Sequence, residues 1–356
     1  MIHRDNKVTK PESPGRRHQK GIALLMVLWV LMLLSAVVTE FCYSMRIEVK
    51  MAGNFKELIE ARYVCLAGMN RAIAGLVENE ATRKIAALPS DESEESLSGE
   101  NIRWRPNEEI QDIAFGKGYF TVNIGNESGK VNINKADEKL LRILFTRFQL
   151  EEKERDSIVD AILDWRDKDD LHRLNGAENE YYESLPTPYS CKNDEFDSIE
   201  EMLLVKGITP DIFYGGVSKM VTIYNEKTTP GKPAAHGAAG RSSKKYDFDR
   251  ININCAPMEM LLSLPGMTEE VCQNIQEFRK EKDITLDSEL LALTGNDIYG
   301  QIFPYISFQL LPYYTLHAEG TVKNSKTKYR LQSTVKIGSK QKEVFRIVQW
   351  TDGAPE

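Results

Sequence analysis

The sequence has few of the residue types that catalytic and metal–thiolate sites need. Only five histidines and five cysteines occur in 356 residues, and the histidines are scattered. No Ser-His-Asp or Cys-His arrangement is apparent, so we expect no enzyme. Basic residues are not in excess either, because the net charge is -7, which argues against a general affinity for nucleic acid or anionic lipid. The remaining composition, 41% hydrophobic and 28% charged, is that of a folded globular chain.

Charge is also absent from one segment near the N-terminus. Residues 1–21 carry six Lys or Arg residues, whereas the seventeen residues 22–38 carry no charge at all. A run of this length is at the short end of what spans a bilayer as a helix, and the basic flank keeps the start of the chain cytoplasmic. No small-x-small cleavage site follows the run. We therefore expect a single-pass inner-membrane anchor, with the bulk of the chain periplasmic.

The junction between these segments resembles the cleavage region of type IV pilins and pseudopilins. It reads RRHQKGIALLMVLWVL and places Gly21 directly before the apolar run. In those families a prepilin peptidase cuts after this Gly on the cytoplasmic side. The resemblance thus implies cleavage between Gly21 and Ile22 and methylation of the new N-terminus. On hydropathy alone, a plain uncleaved anchor would be favoured.

Met26 stands at the fifth mature position, where most of these proteins have Glu. A carboxylate in the hydrocarbon layer costs several kcal/mol unless it is paired, and in the family it is thought to pair with the N-terminus of a neighbouring subunit. A subunit with Met26 is therefore suited to the first position of a filament. Together with the large size, this feature resembles the K-type minor pseudopilins of type II secretion systems.

That resemblance implies a structural role rather than a catalytic one. The chain would sit at the tip of the pseudopilus, initiate or cap its assembly, and support protein export across the outer membrane. The implied partners are other minor pseudopilins, the prepilin peptidase and the inner-membrane assembly platform.

Beyond the membrane the apolar pattern continues at helical spacing. Met45, Val49 and Leu58 begin a stripe that runs to Val77, and we expect this stripe to pack on a globular domain. Three glycines are expected to weaken or bend the helix, namely Gly53, Gly68 and Gly75.

Strand-like segments lie towards both ends of the chain, with helical segments between them. This order predicts an α+β fold: a pilin-like N-terminal helix packed on a small antiparallel β-sheet, with a large inserted α-helical domain. The predicted strands are 101–105, 118–124, 313–319, 329–337 and 343–350. The predicted helices are 136–145, 152–165, 198–205, 210–213, 258–264, 268–281 and 286–293.

The predicted domain organisation follows from these elements and from the resemblance. An acidic, serine-rich loop is expected at 90–100. The segments are a leader at 1–21, a transmembrane helix at 22–39, an amphipathic helix and first part of the β domain at 40–130, an inserted α domain at 131–306 with a calcium loop at 164–200 and a flexible linker at 226–245, and C-terminal strands at 307–356.

Two nearly identical segments, VNINKA at 131–136 and ININCA at 251–256, each precede a predicted helix. The second leads into a unit resembling a helix-hairpin-helix, which suggests the alternative of a membrane-anchored DNA-uptake receptor. The second hairpin glycine is replaced by Thr268, however, and residues 248–306 carry ten acidic and four basic residues. Phosphate contacts need the opposite sign. We therefore expect no nucleic acid partner and a degenerate hairpin in which Asn134 and Asn254 cap their helices.

The strongest candidate site is the acidic segment DWRDKDD at 164–170, followed by a second group of oxygen donors at 175–183. Calcium takes six to eight oxygen ligands from such loops. The spacing does not fit an EF-hand, and a solvated acidic surface would explain the composition alone. The K-type family has a similar stretch that binds calcium, and the resemblance implies the ligands Asp164, Asp167, Asp169, Glu178 and Asn179. Less certain candidates are Asp170, Glu183 and Asn193, while Tyr182 and Tyr189 are expected to pack below the loop.

The five cysteines fit a periplasmic protein only loosely. Cys42 and Cys65 fall on the N-terminal helix, and Cys191 has no evident partner. Cys255 and Cys272 fall on the same hairpin, where they could form a disulfide or be two small core residues.

Overall fold

A computed structural model describes residues 19–86, 104–225, 247–340 and 343–353. The predicted loop at 90–100, the linker at 226–245 and nearly all of the leader lie outside these residues. The chain divides after Ile59 into two units. The elements are α1 (Gln19–Ala86), β1 (Glu109–Phe115), β2 (Gly118–Asn126), β3 (Val131–Asn132), α2 (Glu138–Leu144), α3 (Glu152–Arg166), α4 (Asn179–Glu183), α5 (Pro210–Ile212), α6 (Ser218–Met220), β4 (Val221–Thr222), β5 (Ile251–Asn252), α7 (Met258–Ser263), α8 (Glu269–Glu281), α9 (Asp287–Ile302), β6 (Ile306–Ser307), β7 (Tyr313–Val322), β8 (Lys328–Lys340) and β9 (Glu343–Asp352).

The helix α1 is 68 residues long, and its apolar N-terminal part is exposed. The side chains of Ile22 and Met26 are 55% and 64% exposed. The apolar stripe was predicted to pack from Met45 onwards, but Met45 and Val49 are 45% and 67% exposed, so this part of the prediction is wrong. Burial of the stripe begins only at Ala61, because the sheet lies under the later turns. The buried positions are Ala61, Val64, Cys65, Met69, Ala72, Ile73 and Leu76.

Two of the three glycines of α1 have a packing role that the sequence did not reveal. A Cβ atom on Gly68 would lie 2.8 Å from the ring of Phe120 in β2. A Cβ on Gly75 would lie closer than 3.0 Å to three atoms of the Trp104 ring. These positions therefore let the helix approach its neighbours closely. Gly53 has no described atom within 4 Å and has no such role.

The second unit contains one five-stranded antiparallel sheet in the order β1-β2-β7-β8-β9. Its first pair is a hairpin that turns at Gly116, which has a φ of +59°. Strand β1 was not predicted, and the described end of the predicted strand 101–105 is not a strand. The expected fold class is confirmed: a long N-terminal helix, a five-stranded antiparallel sheet, and a helical insertion between β2 and β7.

Two separate hydrophobic cores support this architecture. One lies between α1 and the sheet and includes Phe120, Val122, Leu316 and Val335. The other lies within the helical insertion and includes Phe145, Ile162 and Met202. Burial of each such side chain contributes roughly 1.5–3 kcal/mol, so both parts have enough apolar content to pack.

The helical insertion contains two copies of one structural unit, matching the two near-repeated sequences. In each copy a two-residue strand pairs in parallel with a later strand, β3 with β4 and β5 with β6. An asparagine two residues after each strand binds both backbone groups of one distant residue. Asn134 donates to the carbonyl of Phe196 at 3.0 Å and accepts from its amide at 2.7 Å. Asn254 makes the same pair of bonds with Ile284, at 2.7 and 2.8 Å.

The prediction that Asn134 and Asn254 cap their helices is therefore wrong. Asp137 caps α2 by accepting from the amide of Leu140, and α7 begins after Pro257 without a side-chain cap. The reason is that a primary amide carries both a donor and an acceptor, so it satisfies the N–H and the C=O of one distant residue, where a cap would use only the acceptor.

Each copy also buries one arginine against backbone carbonyl groups. Arg166 at the end of α3 and Arg279 in α8 occupy equivalent places, and burial lowers the pKa of both guanidinium groups. The accepting carbonyl groups belong to Ile133 and Ala136 in the first copy and to Ile253 and Ala256 in the second.

Candidate functional site

The candidate site begins where α3 ends. Asp164 is fully buried on the last turn of this helix, and its Oδ2 accepts from the backbone amides of Arg173 and Ala177, both at 3.0 Å. One turn earlier, Asp160 accepts from the amide of Asn175 at 3.1 Å. A Cβ on Gly176 would overlap the Asp164 carboxylate. The loop after α3 is therefore folded around two helix carboxylates, and a glycine is needed at its closest approach.

Burial dominates the electrostatics of Asp164. Desolvation raises the pKa of its carboxyl group, although the amides of Arg173 and Ala177 lower it. Burial, followed by the charge of Asp169, also raises the pKa of Asp167. The negative charges of this loop are thus less stable than they would be in water, and a bound cation would stabilise them.

Among the residues of the site, Glu178 gives the strongest indication of a bound cation. Its side chain is only 3% exposed, and among the described residues neither carboxylate oxygen has a hydrogen-bond partner. Burial, with a smaller contribution from the charges of Asp164, Asp167 and Asp170, raises the pKa of Glu178 to about 7. The Cys191 thiol lies near enough to lower this pKa, but it forms no hydrogen bond of normal geometry.

Two other side-chain oxygen atoms of this region also lack a hydrogen-bond partner. Asp167 Oδ1 and Asn193 Oδ1 are buried without a partner in the described part of the chain. Asn193 has a φ of +51°, and its Nδ2 donates to the backbone oxygen of Asp169 at 3.0 Å, which leaves its own oxygen unpaired. An unsatisfied buried acceptor costs about 1–3 kcal/mol. Four such oxygens in one loop region fit a hard cation that prefers oxygen ligands.

The predicted ligands differ in how far the structure favours them. Both carboxylate oxygens of Glu178 and the Oδ1 of Asp167 are unpaired, and Asp164 shares the Arg173 side chain with Asp167 as an ion-pair partner. Asp169 is on the exposed outside of the loop and accepts from the amide of Leu171 at 3.0 Å. Asn179 already accepts from the amide of Cys191 at 2.8 Å and donates to Asp170 at 3.0 Å. Within residues 19–86, 104–225, 247–340 and 343–353, no three His, Cys, Asp or Glu side chains converge closely enough to hold a metal.

Two residues of the region gain importance only from the structure. Asn193 was a secondary candidate because an isolated asparagine carries little sequence signal. Arg173 was not considered, although its side chain contacts Asp164 and Asp167. The position of this basic residue shortly after an acidic run could have indicated its role from the sequence.

An aromatic cluster forms the floor beneath the loop. The Trp165 ring lies edge-on to Tyr182 with a centroid distance of 5.2 Å, and Tyr189 lies 5.3 Å from Tyr182. Lys206 holds the loop from outside by donating to the carbonyl groups of Asn175 and Gly176 at 3.1 and 3.0 Å. Tyr182 and Tyr189 therefore pack as the sequence analysis expected.

The hairpin between α7 and α8 has the contacts of a structural turn rather than those of a phosphate-binding site. Gly266 has a φ of +72°, and Thr268 caps α8 by accepting from the amide of Val271 at 3.3 Å. A threonine side chain thus takes the place of the second glycine of a phosphate-binding hairpin. Cys255 and Cys272 are buried free thiols rather than a disulfide, which agrees with the second of the two alternatives.

The processing candidates lie at the start of α1. This helix contains one segment that is long and apolar enough to cross a membrane, by length and composition, within Ile22–Thr82. Gly21 directly precedes this segment, and Met26 lies on its second turn with an exposed side chain.

Comparisons with known proteins agree on one family. Residues 120–226 match the model of Type II secretion system (T2SS), protein K. Type II secretion system protein K of Aeromonas hydrophila is 26% identical over 217 residues, which cover 56% of this chain and 62% of that protein. The corresponding protein of Pectobacterium carotovorum subsp. carotovorum is 27% identical over 208 residues, covering 56% and 61%. The matches thus span somewhat under two thirds of the length of these relatives.

A solved structure provides the fold comparison. The GspK-GspI-GspJ complex from the enterotoxigenic Escherichia coli Type 2 Secretion System contains a chain that matches with a TM-score of 0.54 and 15% identity. The match covers 86% of this chain and 100% of that one. These relatives give no support to the alternative of a DNA-uptake receptor. The chain is therefore related in sequence and in fold to the K proteins of type II secretion systems.

Proposed function

We propose that the chain is a minor pseudopilin placed at the tip of a type II secretion pseudopilus. The observation that carries this proposal is the apolar part of α1, where the large hydrophobic side chains are exposed and no carboxylate occurs between Ile22 and Thr39. A helix of this kind needs a membrane or partner helices around it. The relation to the K proteins supports the same role.

The mechanism that follows is assembly rather than catalysis. The apolar helix anchors the chain in the inner membrane after cleavage behind Gly21, with its basic flank on the cytoplasmic side. Met26 has no carboxylate that would require the N-terminus of a neighbouring subunit as its partner. The helical insertion adds bulk to the sheet domain and hinders addition of a further subunit above it. The chain would thus start or cap the filament.

Other minor pseudopilins are the partners that this role requires. The related solved structure is a complex of GspK with GspI and GspJ. By analogy, two other minor pseudopilins would assemble with this chain, packing against α1. The prepilin peptidase and the inner-membrane assembly platform would act on the same helix.

The tip position can be tested at Met26. In Met26→Glu the new carboxylate would lie in the hydrocarbon layer, which costs roughly 3 kcal/mol without a partner. We expect the full chain, co-expressed with the other minor pseudopilins of its own system, to be recovered in complex with them from membranes. Met26→Glu should lower that recovery severalfold, while the control Met26→Leu should not. Unchanged or higher recovery with Met26→Glu would place the subunit inside the filament and contradict the tip assignment.

We also propose that the loop after α3 binds calcium, and that the ion stabilises the helical insertion. The unpaired oxygens of Glu178, Asp167 and Asn193, together with Asp164, would hold it. The three carboxylates do not converge in the ion-free chain, so the loop would have to draw them together as the ion binds. When bound, calcium supplies positive charge and a coordination shell of oxygens that orders an otherwise polar loop. The protein residues position the carboxylates and exclude water by burial. A structural rather than a catalytic cation fits this arrangement.

Calorimetry of the full chain in detergent, after treatment with a chelator, tests this site. Wild type should bind calcium, and Glu178→Gln should weaken binding at least about tenfold, because a buried carboxylate ligand is lost. Glu180→Gln is the matched control, since Glu180 is an exposed acid on α4, the short helix that begins directly after Glu178. Absence of binding heat at millimolar calcium, or equal affinity of wild type and Glu178→Gln, would refute the site.

A further inference from the structure

Arg173 lies among the carboxylates that would hold calcium. Its Nε is 3.3 Å from Asp164 Oδ1, and its Nη2 is 3.6 Å from Asp167 Oδ2. One guanidinium group thus contacts two candidate ligands, Asp164 on the last turn of α3 and Asp167 directly after this helix. These are ion-pair contacts rather than tight bidentate bonds, since both distances exceed those of strong charge-assisted hydrogen bonds.

The same arginine has two independent connections to Asp164. Its backbone amide donates to Asp164 Oδ2 at 3.0 Å, and its side chain approaches Oδ1. The amide contact fixes the path of the loop whether or not the side chain stays in place. The guanidinium group can therefore leave without removing the bond that positions the fully buried carboxylate.

The surroundings of Arg173 leave room for such a movement. Its side chain is 45% exposed, and the flanking Leu171 and Leu174 are 79% and 93% exposed. The loop is anchored instead at its far end, where Lys206 holds Asn175 and Gly176. The part that carries the guanidinium group is thus open to solvent, whereas the part that carries Glu178 is buried.

The negative charges at this place need a compensating cation both in the ion-free and in the calcium-bound chain. Asp164 and Asp167 both lie within 4 Å of the same guanidinium group, so their negative charges are close together. Without a metal, the single positive charge of Arg173 partly compensates them. A calcium ion carries twice that charge and would repel the guanidinium group at this distance. The arginine and the ion would therefore compete for Asp164 and Asp167.

We propose that Arg173 is an internal competitor of calcium, which pairs with Asp164 and Asp167 in the ion-free chain and turns outward when the ion binds. This inference rests on the calcium site proposed above. Arg173 lowers the calcium affinity of the site and keeps the acidic loop folded before calcium binds. The exchange involves no covalent step; one ion-pair partner replaces another.

The test measures calcium affinity and thermal stability for the full chain in detergent, with Arg173→Gln as the variant. Glutamine removes the charge but keeps the backbone amide that holds Asp164. Lys168→Gln is the matched control, because it removes the same charge from an exposed position of the same loop. In the described structure, Lys168 forms no ion pair with Asp164 or Asp167.

We expect Arg173→Gln to bind calcium about three- to tenfold more tightly than wild type, which corresponds to two partly exposed ion pairs. In chelator it should unfold at a lower temperature than wild type, and in saturating calcium the two should unfold together. Lys168→Gln should change the affinity by less than about twofold, because its charge is screened by solvent.

The outcomes separate the two proposals. If wild type binds calcium and Glu178→Gln weakens binding, but Arg173→Gln binds no more tightly than Lys168→Gln, the competitor role is wrong and the site stands. If Arg173→Gln lowers stability equally in chelator and in calcium, the arginine is a structural tether and the competitor role is again wrong. If neither wild type nor Arg173→Gln binds calcium, the site itself is refuted.

Discussion

Replacement of Gly75 by alanine tests how α1 packs on the sheet domain. The added methyl group would lie closer than 3.0 Å to three atoms of the Trp104 ring, and Trp104 is only 3% exposed. Overpacking against such a side chain costs about 1–3 kcal/mol. Alanine also gains about 1 kcal/mol over glycine in a helix interior, so the net loss of unfolding free energy should reach up to about 2 kcal/mol.

Gly53→Ala provides the matched comparison on the same helix. No described atom lies within 4 Å of the added methyl group, so only the gain in helix propensity remains. We expect this variant to be as stable as wild type or slightly more stable. Both variants can be unfolded in urea as full chains in detergent, with tryptophan fluorescence as the signal. A Gly75→Ala chain that equals or exceeds the stability of Gly53→Ala would refute the close approach of α1 to Trp104.

Three further predictions concern the insertion and its loop. Asn254→Ala should lower the free energy of unfolding by about 2–4 kcal/mol, because both backbone groups of Ile284 lose their buried partner. A loss below about 1 kcal/mol, measured by urea unfolding, would contradict this prediction. Glu289 has a pKa lowered to about 2 by the side chain of Lys282 and by backbone amides. Its stabilising contribution should therefore be present above pH 4.5 and disappear as the pH falls towards 2, so the stability difference between wild type and Glu289→Gln should shrink over that range; a constant difference would argue against these contacts of the Glu289 carboxylate. Gly176→Ala should weaken calcium binding by displacing the Asp164 carboxylate, and unchanged heats of binding would argue against Asp164 as part of the site.

The elements that the sequence predicted correctly have strong local signals. The alternation around Phe120 and the apolar periodicity of α3 and α8 reflect one buried face each, and these elements lie where expected. Strand β1 was missed because its apolar residues do not alternate with polar ones and most of the strand is exposed, with Ile110 its single buried residue. Its place depends on pairing with β2, which is a tertiary contact and leaves little trace in the local sequence.

The same distinction applies to the candidate site. The density of carboxylates near Asp164 could be recognised from composition, but which oxygens remain unpaired depends on the path of the loop. Asn179 and Asn193 are equivalent as sequence letters, yet the first is used by Cys191 and Asp170, while the second keeps a free oxygen. Sequence spacing could not separate them. It also could not show that Asn254 pairs with Ile284, thirty residues further along the chain.

The most direct test of the pseudopilin assignment is the mass of the mature N-terminus. The chain should be isolated from membranes of cells that contain its prepilin peptidase and from matched cells that lack it. We expect the first sample to begin at Ile22 with one added methyl group, and the second to retain the residues before Gly21. A chain whose N-terminus lies upstream of Gly21 in both samples would contradict the assignment as a pseudopilin.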